Sequence, residues 1–94
     1  AITYISIDLD NKINLEWEKY NSNDFYEYCI YRSENDSFDD ESKELLIKII
    51  NPNQTTFEDR NNIGNGKTLY YQIEVHNQYG YSSKSNISSG KSKP

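Results

Sequence analysis

The segment from Leu69 to His76 alternates between two kinds of side chain, and this alternation restricts the fold more than any other feature of the chain. Alternate positions of the segment form two sets, and we call the set to which a residue belongs its parity. One set is Leu69, Tyr71, Ile73 and Val75, and the other is Tyr70, Gln72, Glu74 and His76. Because successive side chains of a β-strand point to opposite faces, the period of two predicts a long strand with one buried face. Half-buried strands of this kind build folds with two layers of β-sheet.

Six other segments have the composition of short strands and are separated by turn signals. Together with the segment above they give seven predicted strands, at residues 5–9, 13–17, 25–32, 45–50, 55–58, 69–77 and 81–88. No long segment has convincing helical periodicity, and the best candidate for a helical turn, residues 39–50, ends in a β-favouring apolar run. The pattern therefore predicts an all-β sandwich of two sheets.

The length of the chain allows one such domain. It has 94 residues, of which nine are tyrosines, and 34% are hydrophobic, as expected of a folded domain. Its longest apolar run, Leu45-Leu46-Ile47, is too short to cross a membrane or to form the core of a signal peptide. The single cysteine, Cys29, cannot form an internal disulfide. We expect one domain over residues 1–90, followed by a linker-like tail over residues 91–94.

The negative charge of the chain is concentrated in one predicted loop, Glu34 to Glu44. This loop carries six acids and one base, whereas the remainder of the chain has nine of each. Because no face gathers the lysines needed to neutralise phosphates, we expect no nucleic-acid partner. The loop lacks the spacing and the glycine of a calcium-binding loop, so we predict an exposed, mobile loop without a metal, and we predict no cofactor elsewhere.

Several short motifs resemble those of fibronectin type III domains, in the same order and with similar spacing. The family has a buried tryptophan in its second strand, where Trp17 stands, and its third strand often reads Tyr-x-Val/Ile-Tyr-Arg, as do residues 28–32. Residues 55–59 are similar to its Thr-Ser-Tyr-Thr-Asp segment. The end of its sixth strand, Val-x-Ala-x-Asn-x-x-Gly-x-Ser, is matched by Ile73, Val75, Asn77, Gly80 and Ser82.

The resemblance implies a seven-stranded immunoglobulin-like (fibronectin type III) antiparallel β-sandwich. It also implies a module of a larger bacterial protein that is extracellular or on the cell surface. The tyrosine that closes a corner of the family's fold would fall on Leu69, so the resemblance implies that the corner bond is absent or shifted here.

Residues suited to catalysis are scarce. The single histidine, His76, falls on the outer parity of its strand, where an exposed histidine without a catalytic role is the commoner interpretation. Cys29 also has the outer parity. It is either a reactive thiol, or one that crosslinks two chains, or a partly covered side chain of ordinary reactivity, and the last interpretation is favoured. We therefore predict that the chain itself is not an enzyme, although its parent protein can be one.

Four tyrosines form the candidate binding surface. Tyr31 and Tyr70 are expected on the outer face of the sheet, and Tyr79 and Tyr81 in or beside the following loop. Rigid aromatic rings suit both protein partners and sugar faces, although outward tyrosines in strands more often pack across neighbouring strands.

These observations lead to two hypotheses of function. In the first, the chain is a monomeric, non-catalytic structural or spacer module that orients the neighbouring domains of its parent protein. In the alternative, it is a ligand-binding module that recognises a protein or a glycan through the four tyrosines.

Overall fold

The computed structural model describes residues 2–5, 7–9, 12–39, 41–60, 63 and 66–92, with side chains from residue 12 to residue 91. Within these residues all regular elements are β-strands, and none is a helix that could cross a membrane. The strands are β1 (Ile2–Ile5), β2 (Ile7–Leu9), β3 (Ile13–Trp17), β4 (Phe25–Ser33), β5 (Glu44–Ile49), β6 (Thr56–Asp59), β7 (Thr68–Asn77), β8 (Ser82–Lys84) and β9 (Ser88–Ser92). The predicted all-β class is confirmed.

The strands form two sheets. The smaller sheet has the order β1-β3-β6, and the larger has the order β2-β9-β7-β4-β5, with β8 also paired to β7. Adjacent strands are antiparallel, except that β2 runs parallel to β9. The long central pair, β4 and β7, supplies most of the larger sheet.

Two of the seven predicted strands are divided in the structure. The first becomes β1 and β2, which pair in different sheets, because alternation predicts the face of a residue and not its partner strand. The last becomes β8 and β9, because the Ser85 hydroxyl accepts a hydrogen bond from the Ile73 backbone N–H at 2.9 Å and takes the place of a backbone carbonyl. The predicted tail begins inside β9, since Lys91 and Ser92 belong to that strand; residues 93 and 94 lie outside the described residues.

The hydrophobic core lies between the two sheets, as the alternating parities predict. It consists of Ile13, Leu15 and Trp17 from the smaller sheet and Tyr28, Ile30, Ile49, Leu69, Tyr71 and Ile73 from the larger. Trp17 is 5% exposed and packs edge-on against Tyr28, with ring centroids 5.6 Å apart. The Tyr28 hydroxyl donates a hydrogen bond to the Pro52 carbonyl at 2.9 Å and accepts one from the Tyr20 N–H at 3.0 Å. The hydroxyl therefore keeps two hydrogen-bond partners although the side chain is buried.

A buried ion pair joins the two sheets beside this core. Asp59 of β6 is 2% exposed and accepts hydrogen bonds from Arg32 of β4 at 2.9 Å and from the Tyr71 hydroxyl of β7 at 2.6 Å. Arg32 also binds Glu44 at 2.5 Å. Leu69, where the resemblance implied a missing or shifted corner bond, is a buried apolar residue, and the Tyr71 hydroxyl bonds to the Asp59 side chain.

The acidic loop is exposed, as predicted, but it is anchored at one point. Phe38 is 7% exposed and has a φ of 50°, in the left-handed region that β-carbons disfavour. Its N–H donates to the Asn35 carbonyl at 3.1 Å, and the Asp39 carboxylate accepts from the Ser42 N–H at 2.9 Å. These turn contacts and the buried Phe38 ring hold part of the loop in a defined conformation, whereas its charge predicts a mobile loop.

Candidate functional site

The pairing of β4 with β7 gathers four ionisable side chains on the outer face of the larger sheet. In this register Glu27 lies opposite His76, and Cys29 lies opposite Glu74. The four residues share one face because Glu27 and Cys29 are two positions apart on β4, as are Glu74 and His76 on β7. We call them the Cys29 cluster.

Three ligand atoms of the Cys29 cluster converge on one point. Glu27 Oε2 lies 3.3 Å from Cys29 Sγ and 2.9 Å from His76 Nδ1, and the sulfur and this nitrogen are 3.8 Å apart. The other ring nitrogen of His76, Nε2, binds Glu74 Oε1 at 2.8 Å. Lys48, on the adjacent strand β5, has its ammonium 3.7 Å from Glu27 Oε2.

Burial and mutual contact shift the proton equilibria of the Cys29 cluster. Burial and then the Glu27 carboxylate raise the pKa of the Cys29 thiol to about 12. Burial alone would raise the pKa of Glu27, but hydrogen bonds with Cys29 and His76 outweigh it and lower the pKa. The hydrogen bond with Glu74, reinforced by the one with Glu27, raises the pKa of His76 against the effect of burial. The thiol therefore stays protonated near neutral pH, and the two carboxylates favour the protonated form of His76.

Two expectations for these residues are wrong. His76, expected to be exposed, is half-buried and bonded at both ring nitrogens. Cys29, expected to be partly covered with ordinary reactivity, is fully buried under its neighbours on the outer face. The outer parity of both residues was assigned correctly, but the cover over them depends on strand register, which local alternation does not specify.

The structure separates the four tyrosines of the predicted binding surface into two pairs. Tyr31 is half-buried, with the Lys43 ammonium 4.6 Å from its ring centroid, and Tyr70 is half-buried beside the acidic loop. Tyr79 and Tyr81 lie beyond the other end of β7 and are 74% and 73% exposed. The length of β7 between Tyr70 and Asn77 is about 23 Å, so the pairs do not form one continuous patch.

The loop over residues 77–81, which carries Tyr79 and Tyr81, is held by the side chain of Asn77, and we call it the Asn77 loop. The Asn77 Oδ1 accepts hydrogen bonds from the backbone N–H groups of Tyr79 at 2.9 Å and of Tyr81 at 3.0 Å. Gly80, between the tyrosines, has a φ of 86°, a conformation that glycine adopts readily. Both rings are therefore presented to solvent from a fixed backbone.

A third exposed tyrosine, Tyr26, lies near this loop and was not anticipated from the sequence. It is 60% exposed and borders a surface cavity of about 330 Å³ together with residues of β7 and the Asn77 loop, among them His76 and Gly80. A shift in register between Phe25 and Glu27 turns Phe25 toward the core and Tyr26 outward. Simple alternation gives Tyr26 the inward parity of Tyr28, so only the bulge explains its position.

The described residues thus define an all-β unit with two sheets, a buried cross-sheet ion pair and a polar cluster on one outer face. Its structure is similar to part of pectate lyase Pel3 from Pectobacterium carotovorum, with a TM-score of 0.74 and 20% identity, over 90% of this chain and 25% of that one. It is also similar to part of pectate lyase PelI from Erwinia chrysanthemi, solved in complex with tetragalacturonic acid, with a TM-score of 0.71 and 15% identity, over 92% of this chain and 26% of that one. The chain thus spans about a quarter of the length of these enzymes. No protein-family model matches the chain, and no curated protein matches it in sequence.

These comparisons correct the predicted family. The chain was expected to be a fibronectin type III, immunoglobulin-like domain, but no model of that family matches and the similar structures are pectate lyases. The motifs behind the expectation include Tyr28-Cys29-Ile30-Tyr31-Arg32 and the Asn77-x-x-Gly80 turn. Each of these motifs indicates a strand or a tight turn, and many unrelated β proteins need the same residues there for the same physical reasons. A likeness at this local level does not establish a family.

Proposed function

We propose that this chain is a non-catalytic β-sandwich module of a larger extracellular protein, and that it fixes the orientation of the domains on either side. In this proposal β1 with β2, and β8 with β9, are divided first and last strands of a seven-stranded sandwich. The parent protein is proposed to be a polysaccharide-degrading enzyme of the pectate lyase kind, which acts outside the cell because its substrate is a polymer.

The observation that carries this proposal is the placement of the two ends of the described chain. Because β2 runs parallel to β9, Ser92 lies beside Leu9, at the far end of the first strand region from Ile2. Ile2 itself pairs with Trp17, at the end of β3. In the proposed role, a chain that enters near one end of the first strand region and leaves near the other holds its neighbours apart.

The coverage of the similar structures supports the same proposal. Nearly all of this chain corresponds to only a quarter of each pectate lyase, as expected of one unit within a longer protein. Charge argues against pectate itself as a ligand of this unit, because the chain carries a net charge of −5 and pectate is a polyanion.

The spacer role can be tested in the parent protein by replacing the module with a flexible Gly/Ser linker of matched span. Small-angle scattering should show a broader distribution of distances between the neighbouring domains, because a flexible linker does not hold their orientation. The isolated chain should not cleave polygalacturonate. An unchanged scattering profile after replacement, a parent protein without neighbouring domains, or lyase activity of the isolated chain would each contradict the proposal.

A second candidate function is ligand binding by Tyr26, Tyr79 and Tyr81, and the observation that favours it is the fixed Asn77 loop. Exposed rings on an ordered backbone bind with little loss of conformational entropy. The Tyr79→Ala, Tyr81→Ala double variant should lose binding on a glycan array or in a pull-down from the native host, whereas Tyr70→Ala, on the distant pair, should retain it. If wild type binds nothing in both assays, this function is excluded.

A further inference from the structure

We propose that Glu27, Cys29 and His76 form a zinc-binding site on the outer face of the larger sheet. This site is independent of the spacer role proposed above. It joins β4 to β7 close to the start of the Asn77 loop.

The geometry of the three ligand atoms matches a coordinated zinc ion. They form a triangle with sides of 2.9, 3.3 and 3.8 Å, and the point equidistant from its corners lies about 2.0 Å from each atom. Zinc lies about 2.3 Å from cysteine sulfur and about 2.0–2.2 Å from histidine nitrogen and carboxylate oxygen, so small side-chain adjustments place the ion slightly above this triangle. Among the described residues, this is the group whose sulfur, nitrogen and oxygen ligand atoms all lie within 4.8 Å of one another.

Glu74 supplies the outer contact that a metal-binding histidine requires. Its carboxylate accepts a hydrogen bond from His76 Nε2–H at 2.8 Å. With its remaining proton on Nε2, the ring can bind a metal through Nδ1, which lies 2.9 Å from Glu27 Oε2 and 3.8 Å from Cys29 Sγ. Carboxylate–histidine–zinc arrangements of this type orient the imidazole and increase its basicity.

The Cys29 cluster can offset the charge of a divalent ion. On binding, the Cys29 S–H bond breaks and its proton leaves to solvent, so that a thiolate, the Glu27 carboxylate and Nδ1 of His76 coordinate the metal. The thiolate and the Glu27 carboxylate together carry the two negative charges that balance the ion.

The ligand types select zinc over the hard cations. A thiolate and an imidazole suit zinc, whereas calcium and magnesium require oxygen ligands in larger numbers. Three protein ligands leave a fourth tetrahedral position for water.

The test is direct binding of zinc and cobalt to the whole 94-residue chain after removal of metals with a chelator. We expect one zinc ion per chain by calorimetry, with proton release near neutral pH because the Cys29 thiol must ionise to bind. Cobalt should give a thiolate-to-metal charge-transfer band and the visible spectrum of a tetrahedral site. A wild-type spectrum without a thiolate band would overturn the proposal regardless of how any variant folds.

Variants then identify the ligands. Cys29→Ser and His76→Asn should each abolish the specific binding, and Glu74→Gln should weaken it by about 10–100-fold through the outer contact. Lys48→Gln is the matched control, because it changes a charge 3.7 Å from Glu27 without removing a ligand, and it should bind zinc at least as tightly as wild type. Zinc affinity that is the same in wild type, folded Cys29→Ser and folded His76→Asn would also overturn the assignment.

Discussion

At the scale of single residues, Cys29 should be almost inert toward thiol reagents in the folded, metal-free chain. The thiolate is the reactive form, and its pKa of about 12, against an ordinary value of 9.0, reduces the thiolate population about a thousandfold, while burial blocks the reagent. Labelling with iodoacetamide or an aromatic disulfide, with and without guanidinium, compares the rate of thiol modification in the folded and unfolded chain. Native protein that reacts as fast as the unfolded chain would show that the outer face is open at Cys29.

Tyr71 makes the stability of the fold sensitive to alkaline pH. Burial and the hydrogen bond to Asp59 hold the pKa of its hydroxyl well above the ordinary value of 10.0. The unfolded chain ionises this group above about pH 10 while the folded chain keeps it protonated, so its contribution is complete below pH 10 and declines as the pH rises further. Tyr71→Phe should cost about 1.5–3 kcal/mol near neutral pH and show a smaller alkaline loss, as measured by urea unfolding at several pH values. Equal stability of the variant and the wild type at neutral pH would contradict this role.

At the scale of elements, the Arg32–Asp59 pair fastens β4 of the larger sheet to β6 of the smaller one. Removing Arg32 leaves the Asp59 charge buried, so Arg32→Ala should destabilise the fold by about 3–5 kcal/mol. Arg60→Ala is the matched control, because Arg60 forms an exposed ion pair with Glu58 at 2.6 Å and should cost about 1 kcal/mol or less. Chemical denaturation measures the free energy of unfolding of both variants. Similar losses of stability in the two would show that the buried Arg32 pair stabilises the fold no more than the exposed Arg60 pair.

Trp17 anchors the packing of β3 against the larger sheet. Replacement of a buried ring of this size by alanine typically costs about 3–5 kcal/mol, which is a large part of the stability of a small domain. Trp17→Ala should therefore be largely unfolded near body temperature, whereas Tyr81→Ala, which removes an exposed ring, should melt close to wild type. A melting temperature for Trp17→Ala near that of wild type would contradict the anchoring role.

The acidic loop should respond to salts through screening and not through calcium binding. Its acids are spread over an exposed turn and repel one another, and Glu34 is already paired with Lys67 at 2.7 Å. Melting temperatures in calcium chloride, in chelator and in sodium chloride of matched ionic strength should differ only slightly. A calcium-specific rise of several degrees, lost in Asp39→Asn, would instead identify a calcium site in the loop.

At the scale of the whole molecule, alternation predicts the faces of residues well and their partners poorly. It correctly places Trp17, Tyr28 and Ile73 in the core, because apolar residues at a period of two must share one face. Arg32 has the same inward parity, but its burial depends on Asp59, which comes from the other sheet.

The candidate sites show the same limit. The Cys29 cluster joins residues separated by 47 positions, and it exists only in the observed register of β4 against β7. Similarly, the outward position of Tyr26 depends on a bulge. Contacts between distant strands are set by tertiary packing, for which a single sequence offers no short-range signal.

The parallel pairing of β2 with β9 also determines how the molecule carries mechanical load. Tension applied through the two ends of a multidomain chain pulls β2 and β9 along their axes in opposite directions, so their hydrogen bonds are loaded together in shear. A hairpin pulled open from its ends breaks such bonds one at a time. Forced unfolding is governed by the barrier to this first rupture, so for a chain in the proposed spacer role the parallel pairing of β2 with β9 opposes stretching.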